Sequence, residues 1–176
     1  IAAELPTEVV VTTLRHHQKC LVLERGDGTL APFFLTVIDR RDDPTGVIRQ
    51  GNEWVIGARL EDAAFFFAED RKHLLETLSP RLDRLEFHRR LGSVGAKADR
   101  VGTLAARLAA SCGLPHDAPH LTRAARLVKA DLLSHMVGEF PELQGIIGGH
   151  YLRLEGADEE LWTAARDHYR PLGFDD

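Results

Sequence analysis

Residues 127–137 read LVKADLLSHMV, which sets Lys129, Asp131 and His135 inside an apolar run. A carboxylate and an imidazole spaced i, i+4 share one helix face, a spacing by which helices present metal ligands. The chemistry in question is metal-assisted phosphoester hydrolysis. It needs several neutral histidines and carboxylates converging on an ion that keeps one position open for water. Only one acid is in place, because the residue before Asp131 is Ala130, and the preceding helix begins with two cations, Lys97 and Arg100. A cation beside a half-buried carboxylate takes over the electrostatic role of an ion through a charge-assisted hydrogen bond. The expectation is a metal-free remnant of such a site, comprising Asp131, Lys129 and His135.

The other eight of the nine histidines form no better constellation. His16 and His17 are adjacent in TLRHHQK, read as a strand running into a turn, where neighbouring side chains point to opposite faces. His116 and Asp117 spell a His-Asp pair, but in GLPHDAPH, a loop broken by prolines. His116 and His120 are four apart with Pro119 between them, which disfavours one helix through both. Neither a Walker nor a Rossmann glycine loop occurs, nor a GxSxG elbow, and Ser111 and Ser134 have no triad spacing. The residues therefore nominate no catalytic group and no metal ligand set.

One charge feature remains. RLDRLEFHRRLGSVGAKADR, residues 81–100, carries six Lys or Arg against three acids, with Arg71 and Lys72 upstream. A solvated helix face and a loop are the ordinary account of such a run. The sharper account is an edge that contacts the phosphates of a folded RNA through Arg71, Lys72, Arg81, Arg84, Arg89, Arg90, Lys97 and Arg100, positioning without reading bases. The net charge of −5 means that any such contact is local.

These residues need elements to hold them. With 44% hydrophobic and 28% charged residues in 176, the chain has the composition of a soluble globular protein of about one domain, without a run long enough to cross a membrane. It starts without Met, as an excised piece does, and Cys20 and Cys112 are too isolated for a zinc ribbon or a disulfide framework, which fits a reducing cytosol. EVVVTT, CLVLE and APFFLTVID read as three antiparallel strands, with RGDGT as a turn. After Pro44 and Gly46 the pattern is helical to the end. Val55, Ile56, Leu60, Ala63, Ala64 and the FFF that follows supply core, and Val101, Leu104, Ala105, Leu108 and Ala109 line one face of a helix stopped by Gly113 and Pro115. A further helix from about His120 carries Leu121, Ala125, Val128, Leu132 and Met136 as its stripe, with Asp131 and His135 on one margin and Lys129 on the other. GIIGG permits close helix packing, and ADEELWTAARDHY forms a last helix with acids in its first turn. The fold class is α+β, mainly α: a short antiparallel β meander, then helices.

APFFLTVID, GNEWVIGARLEDAAFFFAEDRK and HLTRAARLVKADLLSHMVGEFPELQGIIGGHY, in that order, resemble the β subunit of the bacterial two-subunit glycyl-tRNA synthetase. The resemblance runs through nearly the whole chain. It implies an internal fragment of a longer subunit: residues 1–45 closing a β-containing domain similar to the B3/B4 domain of phenylalanyl-tRNA synthetase, and residues 46–176 forming an HD-like helical domain. It implies a ligase that joins glycine to its tRNA in an α2β2 assembly in the cytoplasm, with ATP and Mg used by the α subunit and no cofactor in this fragment. The implied partners are the α subunit, tRNA-Gly and other β-subunit domains, with no membrane. In active HD enzymes a His-Asp pair sits on a helix; the similar position here is Ala130-Asp131. Two departures stand out: Gly57 where many members have arginine, and Cys20 and Leu21 where an aromatic pair is usual. A purely structural scaffold and a metal-dependent HD phosphohydrolase are the alternative readings.

Overall fold

A computed structural model describes residues 5–115, 117–171 and 173; the expectation for His116 lies outside them. The chain divides into two compact units, residues 1–69 and 70–176. The change of texture at Pro44–Gly46 falls at the start of a long helix that ends where the units meet.

In the first unit, EVVVTT is not a strand. Thr7–Thr12 form α1, which continues as a π-helical turn over Thr13–His17. Pro6 precedes the first turn and Glu8 lies within it, both favourable at a helix start. Each β-branched residue costs a helix about 0.5 kcal/mol relative to alanine, whereas burying a Val side chain gives roughly 1.5–3 kcal/mol. Val9, Val10, Thr13 and Leu14 are all buried on one face, so burial overrides propensity. The Thr13 hydroxyl donates to the Val9 carbonyl, 2.9 Å away, which removes the remaining polar cost. His16 and His17 thus end a helical turn and not a strand.

The expected meander is therefore a two-stranded antiparallel hairpin, β1 (Leu21–Glu24) and β2 (Leu30–Leu35), in which Leu21 faces Leu35 and Val22 faces Phe34. Its RGDGT turn is as read from the sequence. Gly28 takes φ +81°, and the Asp27 carboxylate accepts from the Thr29 amide and hydroxyl. α2 spans Val47–Asp70. Ile56, Ala63 and Phe67 of α2 are buried, but Val55 and Phe65 are exposed, so only part of its apolar set is core.

The second unit contains α3 (Leu75–Leu78), a 3-10 turn (Ser79–Arg84), the hairpin β3 (Glu86–His88) and β4 (Gly92–Ser93), α4 (Val94–Ser111) and α5 (Ala118–Leu127). A 3-10 turn (Ala130–Leu133), α6 (His135–Glu139), another 3-10 turn (Pro141–Leu143), α7 (Ile146–Leu154) and α8 (Glu159–Asp167) follow. The β3–β4 hairpin stands where the sequence reads as a helix face and a loop. It leads into α4, whose first turn is capped by the Ser93 hydroxyl, which accepts from the Ala96 amide at 3.1 Å.

Two helices differ from expectation. The helix read through residues 120–137 is three pieces, because α5 ends at Leu127, a 3-10 turn follows from Ala130, and Ser134 is extended (φ −80°, ψ 152°). Ser134 caps α6 through the Val137 amide. In α4 the buried face is the small one: Val94, Gly95, Ala98 and Gly102 are buried. A Cβ on Gly102 would lie 2.7 Å from Thr122 Cα, so α4 and α5 approach backbone to backbone. The apolar stripe faces outward instead, with Val101, Leu104 and Leu108 exposed by 45%, 55% and 56%. The GIIGG segment does permit close packing, since a Cβ on Gly149 would meet Arg166 Cβ at 2.8 Å. The acids Glu159 and Glu160 start α8 as expected.

Candidate functional site

Asp131 is the centre of the opening motif, and it is 1% exposed, inside the core and not on its margin. It cannot share a helix face with His135, because Ser134 breaks the chain direction between them. Asp131 Oδ2 accepts from the Gly145 amide at 2.6 Å, at the N-terminus of α7. Gly145 has φ +80°, and a Cβ there would meet Ala165 O at 3.0 Å and the Tyr169 ring at 3.1 Å. Asp131 is thus an internal anion at a helix N-terminus, where backbone N–H groups and the helix dipole favour negative charge. Burial pushes its pKa up to about 6, opposed by the Gly145 hydrogen bond and by Lys129. Oδ1 is buried without a hydrogen-bond partner.

The cation that reaches Asp131 is Lys129, ahead of the expected Lys97 and Arg100. Lys129 Nζ lies 2.7 Å from His168 Nε2 and 4.0 Å from the centre of the Tyr169 ring. His168 Nδ1 is 2.7 Å from the Ala165 carbonyl, which only accepts, so Nδ1 carries the proton and Nε2 accepts from Lys129. Burial, reinforced by the charge of Lys97, lowers the Lys129 pKa to about 8. Burial also lowers that of His168.

His135 belongs to a different constellation, one that sequence reasoning missed. Asp70, buried at the end of α2, accepts from the His135 amide at 2.8 Å, the Met136 amide at 3.0 Å and the Tyr151 hydroxyl at 2.9 Å. His135 Nδ1 is also 2.8 Å from Asp70 Oδ1, while its side chain is 65% exposed. Glu155 does the same for α3, accepting from the Leu75 amide at 2.9 Å. Three carboxylates, the buried Asp70 and Asp131 and the exposed Glu155, therefore sit at the N-termini of α6, α7 and α3. The only local signal for Asp70 is its place three residues after the aromatic run at 65–67. Its partners are more than sixty residues away, beyond any spacing rule.

Such geometry is structural. Among the described residues, no group of three or more His, Cys, Asp or Glu could hold a metal ion. The donor set around Asp131 does not fit one either: Oδ2 is taken by a backbone amide, and the nearest charge is a lysine.

The basic run lies on segments that pack together. Arg81 and Arg84 lie on the first 3-10 turn, Arg89 and Arg90 at the tip of the β3–β4 hairpin, and Lys97 and Arg100 in the first turns of α4. All but Lys97 are exposed, as are Arg71 and Lys72 after α2. Lys97 Nζ sits 4.1 Å above the Phe87 ring, so its charge is pinned over the hairpin. Two of the three acids in the run are bridged by Arg126 of α5. Its Nε is 2.7 Å from Asp99 Oδ1, and its Nη2 is 3.1 Å from Asp83 Oδ1. These hydrogen bonds raise the Arg126 pKa and lower that of Asp99. The edge is therefore more cationic than its own sequence shows.

Fold and site together define a mainly helical α+β chain with a cationic edge, its buried carboxylates Asp70 and Asp131 accepting from amides at helix N-termini. Residues 3–176 match the family described as glycyl-tRNA synthetase beta subunit, and the chain belongs to that family. It is 44% identical over 173 residues to the glycine-tRNA ligase beta subunit of Rickettsia typhi, covering 98% of this chain and 25% of that protein. It is 46% identical over 176 residues to the same subunit of Rickettsia prowazekii, again 98% and 25%, and 45% identical over 170 residues to that of Anaeromyxobacter sp. strain K, 97% and 24%. The chain thus spans about a quarter of the length of these curated relatives.

Proposed function

We propose that this chain is a tRNA-facing, non-catalytic part of a glycyl-tRNA synthetase β subunit, acting in the ATP-dependent ligation of glycine to tRNA-Gly. In this reading residues 1–45 close a B3/B4-like domain and residues 46–176 form an HD-like helical domain. The α subunit carries the adenylate chemistry with ATP and Mg, and the assembly works in the cytoplasm. The carrying observation is the family match from residue 3 to residue 176. The physical handle is the edge holding Arg81, Arg84, Arg89, Arg90 and Arg100, whose acids Asp83 and Asp99 are drawn off by Arg126. No helix among the described residues is long and apolar enough to cross a membrane.

The test is tRNA-Gly binding by the intact α–β assembly across a salt series. Neutralising a phosphate releases counterions, so every phosphate that the protein ceases to neutralise lowers the slope of log affinity against log salt by about 0.7–0.9. Arg89→Glu with Arg90→Glu is expected to weaken binding and lower the slope by about two such steps. Unchanged affinity and slope would remove the handle. A purely architectural role is the second reading, favoured by the exposed apolar face of α4.

A further inference from the structure

The exposed stripe of α4 has the pattern of a helix-pairing seam. Val101, Leu104 and Leu108 recur at spacings of three and four, the a, d, a positions of a heptad, and all three are exposed. The buried face is the opposite one, marked by Gly95, Ala98 and Gly102, with Gly95 against Asp83 of the first 3-10 turn and Gly102 against Thr122 of α5. The folding of this unit therefore does not use the stripe. Its borders are asymmetric. Arg100 and Arg107, both exposed, occupy the two g positions, while Ala105 and the exposed Cys112 occupy the e positions.

We propose that this face of α4 docks an amphipathic helix with an acid-flanked leucine-type seam, supplied by the remainder of a full-length β subunit. Charge selects that occupant. A second α4 in antiparallel register would set arginine against arginine across the g positions, and in parallel register arginine would meet alanine or cysteine, with no ion pair in either case. A helix with Asp or Glu facing Arg100 and Arg107 satisfies both. The source follows from length, since roughly three-quarters of each curated relative lies outside the part that matches. The inference goes beyond tRNA binding: it shares Arg100 with the candidate phosphate edge, but its test is read at Leu104, Arg107 and Leu108, which are not among the candidate phosphate contacts.

The test places a photo-crosslinking benzoylphenylalanine at position 104 of the full-length β subunit in the α–β assembly, without tRNA, and identifies the captured peptide by mass spectrometry. The expected product is a β-subunit peptide from outside the matched region, with apolar residues at three- and four-residue spacing and flanking acids. Leu108→Asp is expected to abolish capture, and Arg107→Glu to lower its yield roughly twofold, the scale of one flanking ion pair, with Arg107→Lys restoring it. These side chains are exposed in this unit, so an unchanged thermal midpoint separates failed docking from failed folding. Capture of the α subunit, capture of the same region of a second β subunit, or no protein captured would overturn the proposal.

Discussion

Replacing Asp131 by Asn removes a titration as well as a charge. Burial holds the Asp131 carboxyl at about 6, against an ordinary value of 3.8. Between those two pH values the folded protein keeps a proton that the unfolded chain has released. The contribution to stability is thus fully present below pH 3.8 and is lost as the pH rises through 6. At about 1.4 kcal/mol per pH unit, the loss comes to roughly 3 kcal/mol by pH 7. Solvent screening reduces this little, because the residue is 1% exposed. Asn keeps an oxygen to accept from the Gly145 amide but cannot ionise. The stability of Asp131→Asn relative to wild type is therefore expected to improve by about 2 kcal/mol from pH 4 to pH 7 and then level off. His168 titrates with the opposite sign, its lowered pKa favouring the fold as the pH rises, but both proteins share that effect. Urea unfolding followed by Trp162 fluorescence in a Trp54→Phe background measures the difference, Trp54 being an exposed residue of the other unit. A gap that is constant from pH 4 to pH 7, or that moves the other way, refutes the assignment of Asp131 as a desolvated helix-capping anion. Stabilisation of wild type alone by added manganese, iron or zinc refutes it as well.

Asp70→Ala leaves the His135 and Met136 amides and the Tyr151 hydroxyl without their shared acceptor, and is expected to cost about 3 kcal/mol or more in urea unfolding. Tyr151→Phe, which removes one of those bonds, is expected to cost about 1 kcal/mol. Gly102→Val forces α4 from the Thr122 backbone and is expected to lower stability by about 1–3 kcal/mol. Leu104→Ser, at a position the periodicity reads as core, is expected to stay within about 0.5 kcal/mol of wild type in the same assay, because that side chain is exposed. Arg126→Met frees Asp83 and Asp99 beside the basic edge, and is expected to weaken tRNA binding by the intact assembly, read by fluorescence anisotropy.

Much that is local was determined by the sequence alone. RGDGT makes its turn, Pro44 and Gly46 precede α2, the acids of ADEEL start α8, and the motifs of the long helical region carry the family. Each is settled by neighbours within a few residues, where backbone preference and short-range hydrogen bonds dominate. The tertiary structure decided which faces are inside. EVVVTT has the composition of a strand, yet Val9 and Thr13 find a buried helical face whose burial outweighs their propensity. The regular stripe of Val101, Leu104 and Leu108 lies outside because small residues on the other face let neighbours come closer than any leucine would permit, Gly102 admitting α5 and Gly95 the turn that carries Asp83. Asp131 and His135, four apart in sequence, serve different helices because Ser134 turns the chain between them. Asp70, unremarked in the sequence, gathers three donors from segments more than sixty residues away. Periodicity reports that a face is apolar, but only long-range packing chooses the surface it meets, and a carboxylate's role depends on which unsatisfied amides the fold brings to it.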